Sequence, residues 1–157
     1  MLRHIQGIEG TFMEFVSSSC EETKKIAYDM AKTSKPSNIY SLVGDLGAGK
    51  TVFSKGFAEG LGIDEEITSP TFTIINVYDG SGRLPFYHFD VYRIEDPSAM
   101  EDTGYEEYFY GKGICIIEWA EKIKDLMPEN AIWVFIEKDY EKHDNFRRIK
   151  VKKSEKE

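Results

Sequence analysis

The chain has 157 residues, of which 41% are hydrophobic, and carries a formal net charge of −8. This length and apolar content suit one domain over residues 1–157, with 153–157 expected as a flexible tail, and such a domain buries roughly two-thirds of its unfolded surface. The acidic balance excludes a broad electrostatic grip on nucleic acid; the sequence has no run of ~18 apolar residues and no signal-peptide pattern at Met1–Gly10, so the expected setting is cytoplasmic, without membrane contact.

In chain order, Thr11 to Val16 alternates as a strand does, and Cys20 to Ala31 sets Ile26, Ala27, Met30 and Ala31 on one helical face. After a break at Ser34-Lys35-Pro36-Ser37-Asn38, Ile39 to Val43 is a short apolar strand that runs directly into glycines. Phe53, Phe57 and Leu61 then recur every fourth residue until Gly60 and Gly62 end a helix. Phe72 to Tyr78 and Leu84 to Tyr92 read as strands joined through Asp79-Gly80-Ser81-Gly82-Arg83, most simply an antiparallel hairpin. Asp96-Pro97-Ser98 opens an acidic helix across Glu95 to Glu107, Gly113 to Glu118 is a buried strand, and Ala131 to Glu137 with Phe146 to Val151 forms a last hairpin. Together these predict an α/β fold, a three-layer P-loop NTPase-like domain with a mixed parallel/antiparallel sheet. Cys20 and Cys115 are expected as free structural thiols, Cys115 within the apolar run Ile114 to Ile117.

The most specific motif is Gly44-Asp45-Leu46-Gly47-Ala48-Gly49-Lys50-Thr51. Glycines at this spacing let backbone N–H groups turn inward on phosphates, the helix opening at Gly49 offers its positive end, and Lys50 reaches the β- and γ-phosphates of a nucleotide. Asp45, Leu46, Gly47, Ala48, Gly49, Lys50, Thr51 and Val52 are the contacts expected from this cradle, with the Thr51 hydroxyl on Mg2+. Carboxylates must complete the metal shell and orient water, and two strand ends supply them. The period of two puts His88 and Asp90 on one face of Phe86-Tyr87-His88-Phe89-Asp90, and Glu118 closes Gly113 to Ile117 in the same manner. Asp90 and Glu118 are therefore candidate metal and catalytic carboxylates beside Lys50. Two readings stand for each, since a carboxylate there also caps a turn; His88 is either a packed core histidine or a functional one.

Four blocks in this order, the cradle, Ser69-Pro70-Thr71-Phe72-Thr73, His88-Phe89-Asp90-Val91-Tyr92-Arg93 and Ile117-Glu118-Trp119, resemble the TsaE (formerly YjeE) family of P-loop ATPases. The resemblance runs from about Ser18 to Pro128; Val52 departs from the second threonine of many members. It implies a protein that binds and slowly hydrolyses ATP with Mg2+ and serves threonylcarbamoyladenosine formation in tRNA alongside two partners, TsaB and the transferase TsaD. It further implies Thr51 and Glu118 as magnesium contacts, Asp90 as an acidic residue needed for hydrolysis, the Ser69-Pro70-Thr71 loop as a switch near the γ-phosphate whose two hydroxyls can meet phosphate oxygens or water, and Arg147 near the nucleotide. Trp119 lies against the nucleotide, against a partner, or in the core. Arg93 is either a charge for the transition state or a surface arginine. A small-molecule kinase would need an arginine-rich lid, which the acidic Glu95 to Glu107 stretch does not provide, and a GTP switch would need an Asn-Lys-x-Asp segment, which is absent.

Overall fold

In the computed structural model, which describes residues 12–70 and 72–153, seven strands form one sheet in the order β1-β7-β6-β2-β5-β4-β3. The elements are β1 (Phe12–Ser17), α1 (Cys20–Lys32), β2 (Ile39–Val43), α2 (Lys50–Gly60), β3 (Ile75–Tyr78), β4 (Phe86–Asp90), α3 (Tyr105–Phe109), β5 (Ile114–Glu118), β6 (Ile132–Lys138) and β7 (Arg147–Lys152). β2, β4, β5 and β6 run parallel, whereas β3 and β7 join β4 and β6 antiparallel and β1 closes the far edge on β7. The sheet is mixed, as predicted.

Strand β5 is buried along its whole length, which is why its sequence is apolar without alternation. Ile114 and Ile116 face the layer built by Phe53, Phe57 and Leu61 of the α2 region, while Cys115 and Ile117 face Met100, Phe109 and Ile123 on the opposite side. Helix α1 begins where Ser19 accepts a hydrogen bond from the Glu22 backbone N–H at 3.1 Å and Glu22 accepts one from Ser18 N–H at 2.7 Å. This reciprocal cap satisfies one amide that the first helical turn leaves unpaired, that of Glu22, and the Ser18 amide just before the N-cap.

Helix α2 lies unusually close to α1 because Gly56 and Gly60 present no side chain to it. A Cβ at Gly56 would stand 2.5 Å from the Lys24 carbonyl oxygen, backbone that cannot step aside. Gly56→Ala is therefore expected to cost about 1–3 kcal/mol through overpacking, despite alanine's better helix propensity, and urea unfolding of the variant measures it.

The structure departs furthest from the sequence reading in two places, beyond shifts of one or two residues at other element ends such as β4, read as Leu84 to Tyr92. The acidic stretch is not one helix: Gly104 sits at φ +69° and splits it into a 3₁₀ segment, Pro97–Thr103, and the short α3. Asp96 caps the first piece by accepting from Ser98 N–H at 3.0 Å. Strand β3 starts only at Ile75, because Ile74 takes φ +68° and donates its N–H to the Pro70 carbonyl at 2.9 Å, with Phe72 and Thr73 in a turn. Thr11 and 154–157, parts of the predicted first strand and tail, lie outside the described residues.

Cys115 is buried and Cys20 exposed, and neither is in a disulfide. Burial pushes the Cys115 thiol well above its ordinary value. A thiol reagent is expected to titrate one cysteine per native chain and two after unfolding; rapid labelling of both in the native protein would contradict this packing.

Candidate functional site

Four parallel strands end on the same side of the sheet, and open α/β sheets bind ligands beyond those carboxyl ends. From β2 the chain enters the glycine loop. Gly47 and Gly49 take φ +77° and +113°, conformations a side chain disfavours, and Lys50 opens α2 directly after them. The Lys50 ammonium donates to the carbonyls of Gly44 and Asp45, the latter at 3.0 Å, and stands 3.9 Å from the centre of the Trp119 ring. Burial holds it below the ordinary lysine value, while the carboxylates of Glu118, Glu121, Asp90 and Asp45 pull the other way.

At the second residue of α2, the Thr51 hydroxyl donates to Glu118 Oε1 at 3.0 Å. Glu118 Oε2 meets His88 Nε2 at 2.5 Å and lies 3.4 Å from the Ser54 hydroxyl. Register explains how the carboxylates meet, since Asp90 of β4 pairs with Glu118 of β5, which in turn pairs with Leu42 at the mouth of the loop. Asp90 Oδ2 accepts from the Ser69 hydroxyl at 3.1 Å and Oδ1 from the Tyr92 backbone N–H at 2.9 Å. It is thus a turn cap and a tether for the Ser69-Pro70 loop at once. Trp119 follows β5 at φ +64°, a conformation costing about 1–3 kcal/mol in a non-glycine residue, and this turns its ring toward Lys50 and Tyr92.

These groups line a cleft of about 440 Å³, within the range of small-molecule sites. Leu46, Gly47, Gly49, Lys50, Thr51, Val52, Asp90, Glu118 and Trp119 all border it. The Asp45 side chain is exposed, and this residue contributes its carbonyl to Lys50. Ala48 is buried and borders a smaller recess on the other side of the loop, with Ser19, Thr23, Asn145 and Arg147. Arg147 reaches the loop from behind: Nε donates to the Ala48 carbonyl at 2.7 Å, and Nη2 lies 3.4 Å from the Gly47 carbonyl. The Arg93 guanidinium stacks on Phe72 at 4.5 Å and does not line the cleft. Thr71 lies outside the described residues.

No group of three or more His, Cys, Asp or Glu side chains among the described residues forms a metal cage. The donor set that is present, one hydroxyl against one carboxylate with a second carboxylate alongside, fits Mg2+, which is held by one or two protein oxygens while phosphates and water complete its octahedron.

The sequence profile described as "Threonylcarbamoyl adenosine biosynthesis protein TsaE" matches residues 17–149. The chain belongs to the TsaE family. A relative from Bacillus subtilis (strain 168), named tRNA threonylcarbamoyladenosine biosynthesis protein TsaE, is 53% identical over 118 residues, 75% of this chain and 73% of its own. One of the same name from Treponema pallidum is 43% identical over 122 residues, 78% of this chain and 89% of its own. The crystal structure of YdiB from Bacillus subtilis superposes with a TM-score of 0.77 at 41% identity, covering 90% of this chain and 84% of that one. TsaE membership and the glycine cradle together support a nucleotide-binding protein.

In this TsaE chain, sequence reasoning missed Ser54 beside Glu118, and it marked the Ser69 hydroxyl for phosphate or water, not for Asp90. Ser54 was detectable, since it follows Lys50 by four residues and shares its helix face. The recess beside Ala48 had no such signal, because Ser19, Asn145 and the loop meet only through the sheet edge formed by β1 and β7. Among the described residues no helix is long and apolar enough to cross a membrane.

Proposed function

We propose that this chain binds ATP with Mg2+ in the cleft, hydrolyses it slowly to ADP and phosphate, and serves threonylcarbamoyladenosine modification of tRNA in the cytoplasm by acting with TsaB and TsaD. The observation that carries the chemistry is the hydrogen bond from Thr51 to Glu118 inside a phosphate cradle, with Asp90 on the neighbouring strand. The names of its relatives carry the pathway.

The loop amides and Lys50 would hold the β- and γ-phosphates, the ammonium exchanging its two carbonyl acceptors for phosphate oxygens. Mg2+, held by Thr51 and Glu118 with Asp90 beside them, would neutralise charge on the phosphate oxygens. Asp90 would orient the attacking water and, through Ser69, sense whether a γ-phosphate is in place. Trp119 shields the Lys50 ammonium from water on one side, which strengthens its field at the phosphates. No arginine among the described residues borders the cleft, so little offsets the charge of the transferring phosphoryl group beyond Lys50 and the metal. This supports a low intrinsic rate and a dependence on partners.

The partner face follows from charge. Glu95, Asp96, Glu101, Asp102, Glu106 and Glu107 are all exposed, which favours a basic surface on TsaB or TsaD and opposes direct RNA contact. The test is co-purification with TsaB and TsaD in ATP, in ADP and without nucleotide, at low and high salt. A complex that forms preferentially in one nucleotide state and weakens with salt is the expected result. Equal association in all three states would refute the coupling, because a ligand without differential affinity shifts no equilibrium.

A further inference from the structure

Of the groups around the cleft, His88 is fully buried and touches none of the space a nucleotide would fill. It sits in the middle of β4, opposite Ile116, and its ring lies nearly parallel to Phe86 at 5.9 Å. From there Nε2 reaches diagonally along the ladder to Glu118, two residues beyond Ile116 on β5. The other ring nitrogen, Nδ1, is buried and has no hydrogen-bond partner.

That asymmetry fixes the direction of the bond. A proton on Nδ1 would be a buried donor with no acceptor, so the ring proton belongs on Nε2, where it is donated to Glu118 Oε2. With Oε2 taken by His88 and Oε1 by Thr51, both carboxylate oxygens are committed, and the carboxylate plane is set before any metal arrives. We infer that His88 is a positioning residue that holds Glu118 in its metal-binding orientation through a single Nε2–H donor. This rests on the proposed Mg2+ and ATP reading of the cleft. Outer partners of ligating carboxylates commonly account for 10–100-fold in metal affinity.

The chemistry separates this role from mere packing. His88→Phe keeps a flat ring against Phe86 and loses the donor. His88→Gln places an amide N–H near the Nε2 position, whereas the shorter His88→Asn cannot reach Glu118. The measurement is calorimetric titration of ADP into each purified variant with Mg2+ and with EDTA, which reads metal-dependent binding without turnover. The expected result is a 10–100-fold loss of the Mg2+-dependent gain in ADP affinity for Phe and Asn, recovery to within a few-fold for Gln, and unchanged affinity in EDTA.

If wild type shows a clear Mg2+ effect and all variants share it, His88 is a packing residue and the inference fails alone. If affinity falls equally with Mg2+ and in EDTA, the loss is structural and the inference is overturned as well. A wild type whose nucleotide binding ignores Mg2+ overturns the proposed cleft chemistry and takes this inference with it. Should His88→Phe fail to fold, the contrast of Gln with Asn decides: equal Mg2+ dependence in those two would refute the donor role.

Discussion

Lys50→Ala is expected to lower ATP affinity on the order of 100-fold while the protein stays folded. A charged hydrogen bond contributes about 1.5–3 kcal/mol, and 1.4 kcal/mol is tenfold in affinity, so two ammonium contacts to phosphate would exceed this loss. The net effect is smaller than their sum because the ammonium is not idle in the empty cleft. It already serves the Gly44 and Asp45 carbonyls and faces Trp119, and ATP must replace those interactions. Removing the side chain leaves two carbonyls at the rim of an open cleft, where water satisfies them, and opens no cavity in the layer of Phe53 and Phe57. Calorimetry gives the affinity and thermal unfolding checks the fold. Wild-type ATP affinity in a folded variant would count against the cradle.

Glu118→Gln is expected to reduce turnover by about 100–1,000-fold and Mg2+-dependent nucleotide affinity by about 10–100-fold, the larger loss falling on turnover because its charge matters most where phosphoryl charge develops. The substitution keeps the size of the side chain, yet it cannot keep both hydrogen bonds: Thr51 and His88 each approach one carboxylate oxygen as donors, and an amide meets one of them with N–H. Asp90→Asn should be milder, about 10–100-fold in turnover. The amide oxygen still accepts from Tyr92 N–H, while the Ser69 hydroxyl can turn to suit the NH2 donor. Single-turnover hydrolysis with saturating ATP separates the two effects. Unchanged hydrolysis in both variants would reduce Asp90 and Glu118 to structural caps.

What could be read in the sequence was whatever short-range periodicity encodes. The unbroken apolar run of β5 signalled a strand covered on both faces, and the alternation in β4 put His88 and Asp90 on one side. The cradle announced itself because its glycines must adopt conformations other residues avoid. Gly104 was the counterexample: the acidic stretch from Glu95 to Glu107 was read as one helix straight through it, yet Gly104 turns the chain there while Met100 and Phe109 on either side pack onto the sheet. The reach of Ser69 to Asp90 and of Arg147 to Ala48 was invisible for a different reason. Ser69 lies in the loop before β3, outside the predicted hairpin, and although the pairing of β6 with β7 was predicted, no local pattern states that β1 joins the other edge of β7.

That strand order has a consequence for how the protein is made. Of the described strands β1 is made first, but its hydrogen-bonding partner is β7, the last of them in chain order. The phosphate loop is likewise braced at Ala48 by Arg147, which follows it by 99 residues. At about 5–20 residues per second, roughly 5–20 s separate synthesis of the loop from synthesis of its brace. Throughout that interval the nascent chain carries a complete nucleotide motif and an unpaired edge strand. The brace of the loop and the partner of β1 therefore arrive together, with β7.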